Sequence, residues 1–73
     1  MNDFNGYSEA YAVGMAMEQY GGNGFYSHLG RALQTADAEN VARIKESWPI
    51  EWAEHLDIAR RMPRFQSRKQ FKN

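Results

Sequence analysis

The chain has 73 residues and no cysteine, and its nine aspartates and glutamates balance its nine lysines and arginines. A chain of this length forms one domain with a core of about a dozen side chains. The absence of cysteine excludes a disulfide framework and a thiolate metal site, and it favours a reducing, cytoplasmic environment. The longest uncharged run near the N-terminus, residues 10–17, is too short to cross a bilayer, so we expect no membrane association.

The spacing of apolar residues predicts a first helix at 9–20 and a second at 25–36, separated by the glycine-rich turn 21–24. Ser8 is a suitable N-cap for the first helix. Gly14 lies inside that helix, where glycine costs about 1 kcal/mol relative to alanine. We therefore expect another helix to pack closely against Gly14.

Two further helices follow. Asp37 is the predicted N-cap of a helix at 38–47. Proline disfavours the helical conformation in the residue before it but suits a first helical turn, so Trp48 closes this helix and Pro49 opens a last one that extends to about residue 61. No segment alternates apolar and polar residues as a strand does. The predicted fold class is all-α, a small bundle of three to four short helices.

Charge divides the chain into two unequal parts. Residues 1–59 contain all nine acidic residues and three basic ones, whereas residues 60–73 contain six basic residues and no acidic one. Like charges crowded onto a short stretch repel one another and extend the backbone. We therefore expect a basic C-terminal tail at 62–73 after a helical domain at 8–61. Residues 1–7 are polar and contain the turn signal Asn5-Gly6, so we expect them to form a flexible N-terminal arm.

The tail combines cations with aromatic rings, a pattern that suits phosphate contacts with stacking, or an acidic protein surface. The alternatives are a solvated, disordered end whose charges keep the protein soluble, or an end that folds back on the acidic body. The predicted partner-binding residues of this region are Arg60, Arg61, Arg64, Phe65, Arg68, Lys69 and Lys72.

Two aromatic residues outside the tail complete the predicted binding set. Phe4 lies in the N-terminal arm, which offers little means of burying it. Trp52 lies among the acidic residues 46–57, and large rings with a charged rim are typical of protein contact surfaces. Packing in the core is the alternative for each of the two residues.

No motif indicates catalysis, so we expect a binding protein rather than an enzyme, with no cofactor. The serines lack a nucleophile motif. The glycine-rich turn lacks the preceding strand and the lysine of a phosphate-binding loop. Glu51 and His55 have helical i,i+4 spacing, but two ligands are too few for a structural zinc site, so no metal is expected.

A glycine turn, a helix with an aromatic start, an Ala-Asp cap and an aromatic-proline pair follow one another in the middle of the chain. These elements are Gly21-Gly22-Asn23-Gly24, Phe25-Tyr26-Ser27-His28-Leu29-Gly30-Arg31-Ala32-Leu33, Ala36-Asp37, Asn40, Arg43 and Trp48-Pro49. This stretch of about 30 residues resembles small accessory proteins encoded by phages. Most of those proteins have phenylalanine where this chain has Trp48. The resemblance implies a helical fold.

The chain length, the charge division and the expected intracellular character are also similar to the short phage regulators that bind host RNA polymerase. This resemblance implies a monomeric adaptor in the host cytoplasm that inhibits initiation, promotes antitermination, or does both. Its partner would be the polymerase near the RNA exit region, with the N-terminal arm or the tail beside nucleic acid.

Two alternative functions remain open. Small anti-CRISPR inhibitors of nucleoprotein effectors share the size and the helical build. A stand-alone DNA- or RNA-binding regulator would use the second and third helices as a helix-turn-helix. The supposed recognition helix at 38–47 carries two basic and two acidic residues, which is a poor composition for the major groove.

Overall fold

The computed structural model describes residues 4–22 and 24–66. These residues form four α-helices and a final 3-10 turn, and no strand occurs among them. The elements are α1 (Glu9–Tyr20), α2 (Phe25–Thr35), α3 (Ala38–Ser47), α4 (Pro49–Arg61) and the 3-10 turn Pro63–Phe65. The predicted all-α bundle is confirmed, and α2 ends one residue earlier than predicted.

Side-chain caps begin α1 and α3 at the predicted residues. Ser8 Oγ accepts a hydrogen bond from the backbone N–H of Tyr11 at 3.0 Å. Asp37 Oδ1 accepts one from the backbone N–H of Asn40 at 2.9 Å. Each cap satisfies a backbone donor that has no partner within its own helix. Both N-cap predictions are therefore confirmed.

Helices α1 and α2 cross at a pair of glycines. A Cβ atom on Gly14 would lie 2.6 Å from the carbonyl oxygen of Gly30, and a Cβ on Gly30 would lie 2.7 Å from the backbone nitrogen of Glu18. Real Cβ atoms essentially never approach other atoms this closely. The close helix packing expected at Gly14 is thus confirmed, and its partner is Gly30.

The core consists of two clusters of buried side chains, and α1 contributes to both. One cluster contains Phe4, Ala12, Met15, Ala16, Ala59, Met62 and Phe65, and the other contains Val13, Met17, Leu33 and Trp52. The half-buried side chain of Leu56 packs against both clusters. Because residues 12–17 of α1 are all buried, this helix is the centre of the bundle.

Residues on both sides of the predicted helical domain pack into the first cluster. The rings of Phe4 and Phe65 meet edge to face with centroids 6.0 Å apart, and Tyr7 approaches Phe65 at 5.4 Å. Asn5 Nδ2 donates a hydrogen bond to the backbone oxygen of Arg64 at 3.5 Å. Residues 4–7 and 62–66 are therefore parts of the packed domain. The predicted arm and tail otherwise fall on residues 1–3 and 67–73, outside the described residues.

Candidate partner-binding surface

The three aromatic residues predicted to bind a partner lie in the core. Phe4 is 3% exposed, Trp52 4% and Phe65 1%. The expectation that these rings are available for contact is wrong, because the bundle offers each one apolar neighbours whose contact removes a large ring surface from water. Their role in this structure is to hold the domain together.

Trp52 has a hydrogen-bond partner in α1, 43 positions earlier in the chain. Its indole Nε1 donates a hydrogen bond to Glu9 Oε2 at 3.0 Å. Lys45 Nζ lies 3.5 Å from the same oxygen and 5.4 Å above the Trp52 ring. A buried indole N–H requires such an acceptor. The carboxylate that serves Trp52 therefore comes from α1 and not from the neighbouring acidic residues of the sequence.

The predicted cations that the structure describes are Arg60, Arg61 and Arg64, and all three are exposed. Arg60 and Arg61 lie in the last turn of α4, where the helix dipole favours positive charge. Arg64 lies beyond that helix in the 3-10 turn. Arg68, Lys69 and Lys72 lie outside the described residues. Stabilisation of α4 thus explains the positions of Arg60 and Arg61. It does not explain Arg64, which lies beyond the helix.

Two open depressions lie between Tyr20 at the end of α1 and the last turns of α4, and Tyr20 and Met62 line both. The first has a volume of about 330 Å³ and is also lined by Ile58 and Arg61. The second has a volume of about 320 Å³ and is also lined by Gln19, Pro63 and Arg64. We call this surface the basic groove, because it combines apolar side chains with two guanidinium groups.

The two arginines of the basic groove differ in their partners. Arg61 Nη2 lies 3.2 Å from Asp57 Oδ2, an exposed i,i+4 ion pair of the kind that contributes about 0.3–0.5 kcal/mol. Arg64 Nη1 lies 3.8 Å from the sulfur of Met15, and its guanidinium lies 5.9 Å from the centre of the Phe65 ring. A ligand anion would therefore compete with only one weak ion pair.

Most described cations are already paired with a carboxylate. The pairs are Arg31–Glu18 at 3.8 Å, Arg43–Glu39 at 2.9 Å, Lys45–Glu9 at 3.5 Å and Arg61–Asp57 at 3.2 Å. Within residues 4–22 and 24–66, Arg60 and Arg64 have no carboxylate within 4.0 Å. The positive charge that is free to attract a ligand is therefore concentrated at the C-terminal end of α4.

Sequence reasoning missed Tyr20, which is 58% exposed although its spacing places it on the apolar stripe of α1. Tyr20 is the last residue of its helix, and Gly21 and Gly22 follow it. A ring at a helix end that is followed by two residues without side chains has few local neighbours to cover it. That signal would have identified Tyr20 as an exposed ring.

Glu51 and His55, which have i,i+4 spacing, make a local contact within α4. His55 is buried, and its Nδ1 lies 2.8 Å from the backbone oxygen of Glu51. Its ring lies 5.6 Å from that of Tyr26. Within the described part of the chain, no three His, Asp or Glu side chains are grouped so that they could hold a metal ion. His55 therefore acts in packing.

Comparisons of this chain with protein families, with curated proteins and with solved structures find no match. Among residues 4–22 and 24–66, no helix has both the length and the apolar character needed to cross a membrane.

Proposed function

We propose that this protein is a non-catalytic helical adaptor that uses the basic groove to bind an acidic surface of a larger protein assembly. The observation that carries this proposal is the position of Arg64, an exposed cation without a described carboxylate partner, beside the exposed ring of Tyr20. The pairing of an open apolar floor with a guanidinium suits a segment that carries both an apolar side chain and a carboxylate.

The composition of the groove favours a protein partner over a nucleic acid. Tyrosine, methionine and arginine are enriched at protein interfaces, and Tyr20, Met62 and the two arginines line this groove. A nucleic-acid surface usually presents many cations that neutralise successive phosphates. The described residues place two guanidinium groups at the groove, which matches a short acidic segment better.

The helix-turn-helix alternative finds little support in the charges of α3. Arg43 is paired with Glu39 at 2.9 Å, and Lys45 lies 3.5 Å from Glu9. A recognition helix needs cations and polar side chains that are free to reach bases and phosphates. Both cations of α3 already have carboxylate partners, so we do not propose a stand-alone DNA reader.

The partner assembly that we propose is a host RNA polymerase, bound by a phage-type regulator that inhibits initiation or promotes antitermination. Support for this identity comes from the resemblance of the sequence to small phage proteins. The polymerase matches the groove chemically, because a large nucleoprotein machine presents acidic protein segments beside cationic ones.

A binding measurement on purified components tests the proposal. Biolayer interferometry with bacterial RNA polymerase would compare the unaltered chain with R61Q/R64Q and with the control R31Q/R43Q, which loses the same charge from two other exposed arginines. We expect R61Q/R64Q to weaken binding by about tenfold, equivalent to about 1.4 kcal/mol, and the control to have little effect. Equal binding by all three proteins would remove the groove from the mechanism.

A second measurement separates the groove from the identity of the assembly. A synthetic peptide, acetyl-Glu-Leu-Asp-Tyr-Glu-amide, would be titrated into ¹⁵N-labelled protein. Shifts confined to Tyr20, Met62 and Arg64, together with no binding to the polymerase, would support the groove and overturn the polymerase. Absence of peptide binding at that surface would overturn the acidic-segment chemistry itself.

A further inference from the structure

Two large exposed apolar side chains, Phe25 and Ile50, lie towards the N-terminal end of α4. Phe25 is 53% exposed and Ile50 is 69% exposed. The Phe25 ring meets Trp48 edge to face at 5.4 Å and Tyr26 at 5.1 Å. Trp48 joins α3 to α4, and Ile50 lies two residues later, in the first turn of α4. Large apolar side chains that are grouped on a surface mark interaction sites more often than isolated ones do.

The carboxylates of the described chain that have neither an ion-pair partner nor a capping role flank Trp48 and Ile50 in sequence. Glu9, Glu18, Glu39 and Asp57 form ion pairs, and Asp37 caps α3. The remaining described acids, which have no cation within 4.0 Å in that part of the chain, are Glu46, Glu51 and Glu54. They lie in sequence on either side of Trp48 and Ile50. We call these six residues (Phe25, Trp48, Ile50, Glu46, Glu51 and Glu54), together with Tyr26, the acidic aromatic surface.

Tyr26 connects the rings to the carboxylates. Its ring lies 5.6 Å from that of His55 in α4, and His55 Nδ1 lies 2.8 Å from the backbone oxygen of Glu51. Burial raises the pKa of the Tyr26 hydroxyl group, and the negative charges of Glu51 and Glu54 raise it further. The same ring lies against Phe25 with centroids 5.1 Å apart. The rings of Phe25 and Tyr26 therefore lie beside the first turns of α4, which carry Glu51 and Glu54.

We propose that the acidic aromatic surface binds a lysine- or arginine-containing segment of a partner protein that also carries an apolar side chain. Nucleic acids and anionic lipids carry the wrong charge, because the carboxylates would repel their phosphates. A purely apolar partner would strip water from the carboxylates without replacing its hydrogen bonds. A basic segment provides cations for Glu51 and Glu54 while its apolar side chain covers Phe25 and Ile50.

This interaction is separate from the one proposed for the basic groove. Ile50 and Arg61 are eleven residues apart on one helix, which places the two surfaces about 16 Å apart along α4. They carry opposite charge, so they select different segments. One α4 helix would then hold an acidic segment at its C-terminal end and a basic segment at its N-terminal end, and the protein would bridge them.

A titration with a defined peptide tests the proposal. The probe is acetyl-Lys-Phe-Lys-Leu-Lys-amide, and the matched control peptide has glutamate in place of each lysine. With ¹⁵N-labelled protein at low salt, we expect the basic peptide to shift the Trp48 indole and the amides of Phe25 and Ile50. The acidic peptide should leave those signals unchanged. Equal shifts from both peptides, or shifts elsewhere on the protein, would overturn the proposal.

Matched variants distinguish this surface from a general effect of net charge. E51Q/E54Q and E39Q/D57N lose the same two negative charges, the second pair at exposed sites on other surfaces. We expect E51Q/E54Q to weaken binding of the basic peptide by about tenfold and E39Q/D57N by less than about twofold. I50S removes the apolar contact at a highly exposed position, where the fold should tolerate it, and should also weaken binding. Equal effects of the two double variants would contradict the assignment.

The acidic aromatic surface could instead bind the basic end of a second copy of this chain, and sedimentation of the unliganded protein tests this alternative. We expect the sedimentation coefficient to stay constant as the protein concentration rises. A concentration-dependent dimer that E51Q/E54Q abolishes would show that the surface binds the basic end of a second copy. That result would overturn the assignment to a partner protein.

Discussion

Glu9 and Trp52 are joined by a hydrogen bond of 3.0 Å between the carboxylate Oε2 and the indole Nε1. The bond connects the first turn of α1 to α4, and Lys45 of α3 lies 3.5 Å from the same oxygen. Three helices therefore meet at one carboxylate. Because the indole is buried, loss of its acceptor would leave a polar group without a partner.

Replacing Trp52 with phenylalanine tests this junction. W52F keeps an apolar ring but removes the donor to Glu9 and part of the ring volume. We expect the free energy of unfolding to fall by about 2 kcal/mol, measured by urea denaturation. E39Q is the control, because the Glu39–Arg43 pair is exposed and should change stability by less than about 0.5 kcal/mol. A W52F protein as stable as the E39Q protein would contradict the role of the junction.

The glycine crossing predicts an unusual response to alanine. Alanine stabilises a helix interior by about 1 kcal/mol relative to glycine, so G14A and G30A would stabilise the protein if propensity alone decided. The close backbone approach predicts the reverse, a loss of about 1–3 kcal/mol from overpacking. A32G at an exposed site of α2 is the control and should cost about 1 kcal/mol from propensity. Stabilisation by G14A would show that the helices do not pack at this point.

Burial of the Phe65 ring predicts a large effect of its truncation. F65A should cost about 3–5 kcal/mol, because the ring is surrounded by the first core cluster. F25A is the matched control at a half-exposed ring and should cost far less. Thermal unfolding followed by circular dichroism measures both effects. An unchanged melting temperature for F65A would contradict burial of the Phe65 ring and would instead support its prediction as an exposed contact residue.

The environment of Tyr26 predicts how stability changes at alkaline pH. Burial raises the pKa of Tyr26 above its ordinary value of 10.0, and the negative charges of Glu51 and Glu54 raise it further. The folded protein therefore holds the phenolic proton more tightly than the unfolded chain does. The stability contributed by the neutral phenol is present below pH 10.0 and is lost as the pH rises through the folded-state pKa.

The Y26F variant isolates this effect. Urea denaturation at a series of pH values on either side of 10.0 would give the slope of stability against pH for both proteins. We expect a shallower fall for Y26F, and an intermediate one for E54Q, which keeps the phenol but loses one nearby charge. Identical slopes for the unaltered protein and Y26F would contradict the coupling of Tyr26 to these carboxylates.

The helices and their caps could be predicted from the sequence because the signals are local. Ser8 and Asp37 each accept a hydrogen bond from a backbone N–H three residues later. Pro49 begins α4 because its ring fixes a backbone angle that suits the first helical turn. Gly14 was expected at a helix crossing because no local reason explains a glycine there. Its partner Gly30 was not predicted, since the pairing depends on how α2 lies against α1.

The candidate surfaces were harder to predict because exposure is decided by distant neighbours. Phe65 looked like a contact residue among cations, yet Phe4 and Tyr7 from the opposite end of the chain pack against it. Tyr20 falls at the helical spacing of the apolar residues of α1, yet it is exposed beside the last turns of α4. Arg60, Arg61 and Arg64 are exposed, because a charged side chain is rarely buried without a partner, and their role in binding stays a prediction.

By itself the sequence determined the four helices and the division of charge, because helical periodicity, capping and net charge depend on neighbouring residues alone. Only the tertiary structure decided which of the aromatic rings are covered and which charges remain unpaired. Those outcomes depend on contacts such as Glu9 with Trp52, which lie 43 residues apart and form only when the helices pack. The charges at the two ends of α4, for which we propose binding, are exposed for the same reason, because packing covers Phe4, Trp52 and Phe65 and leaves these side chains on the surface.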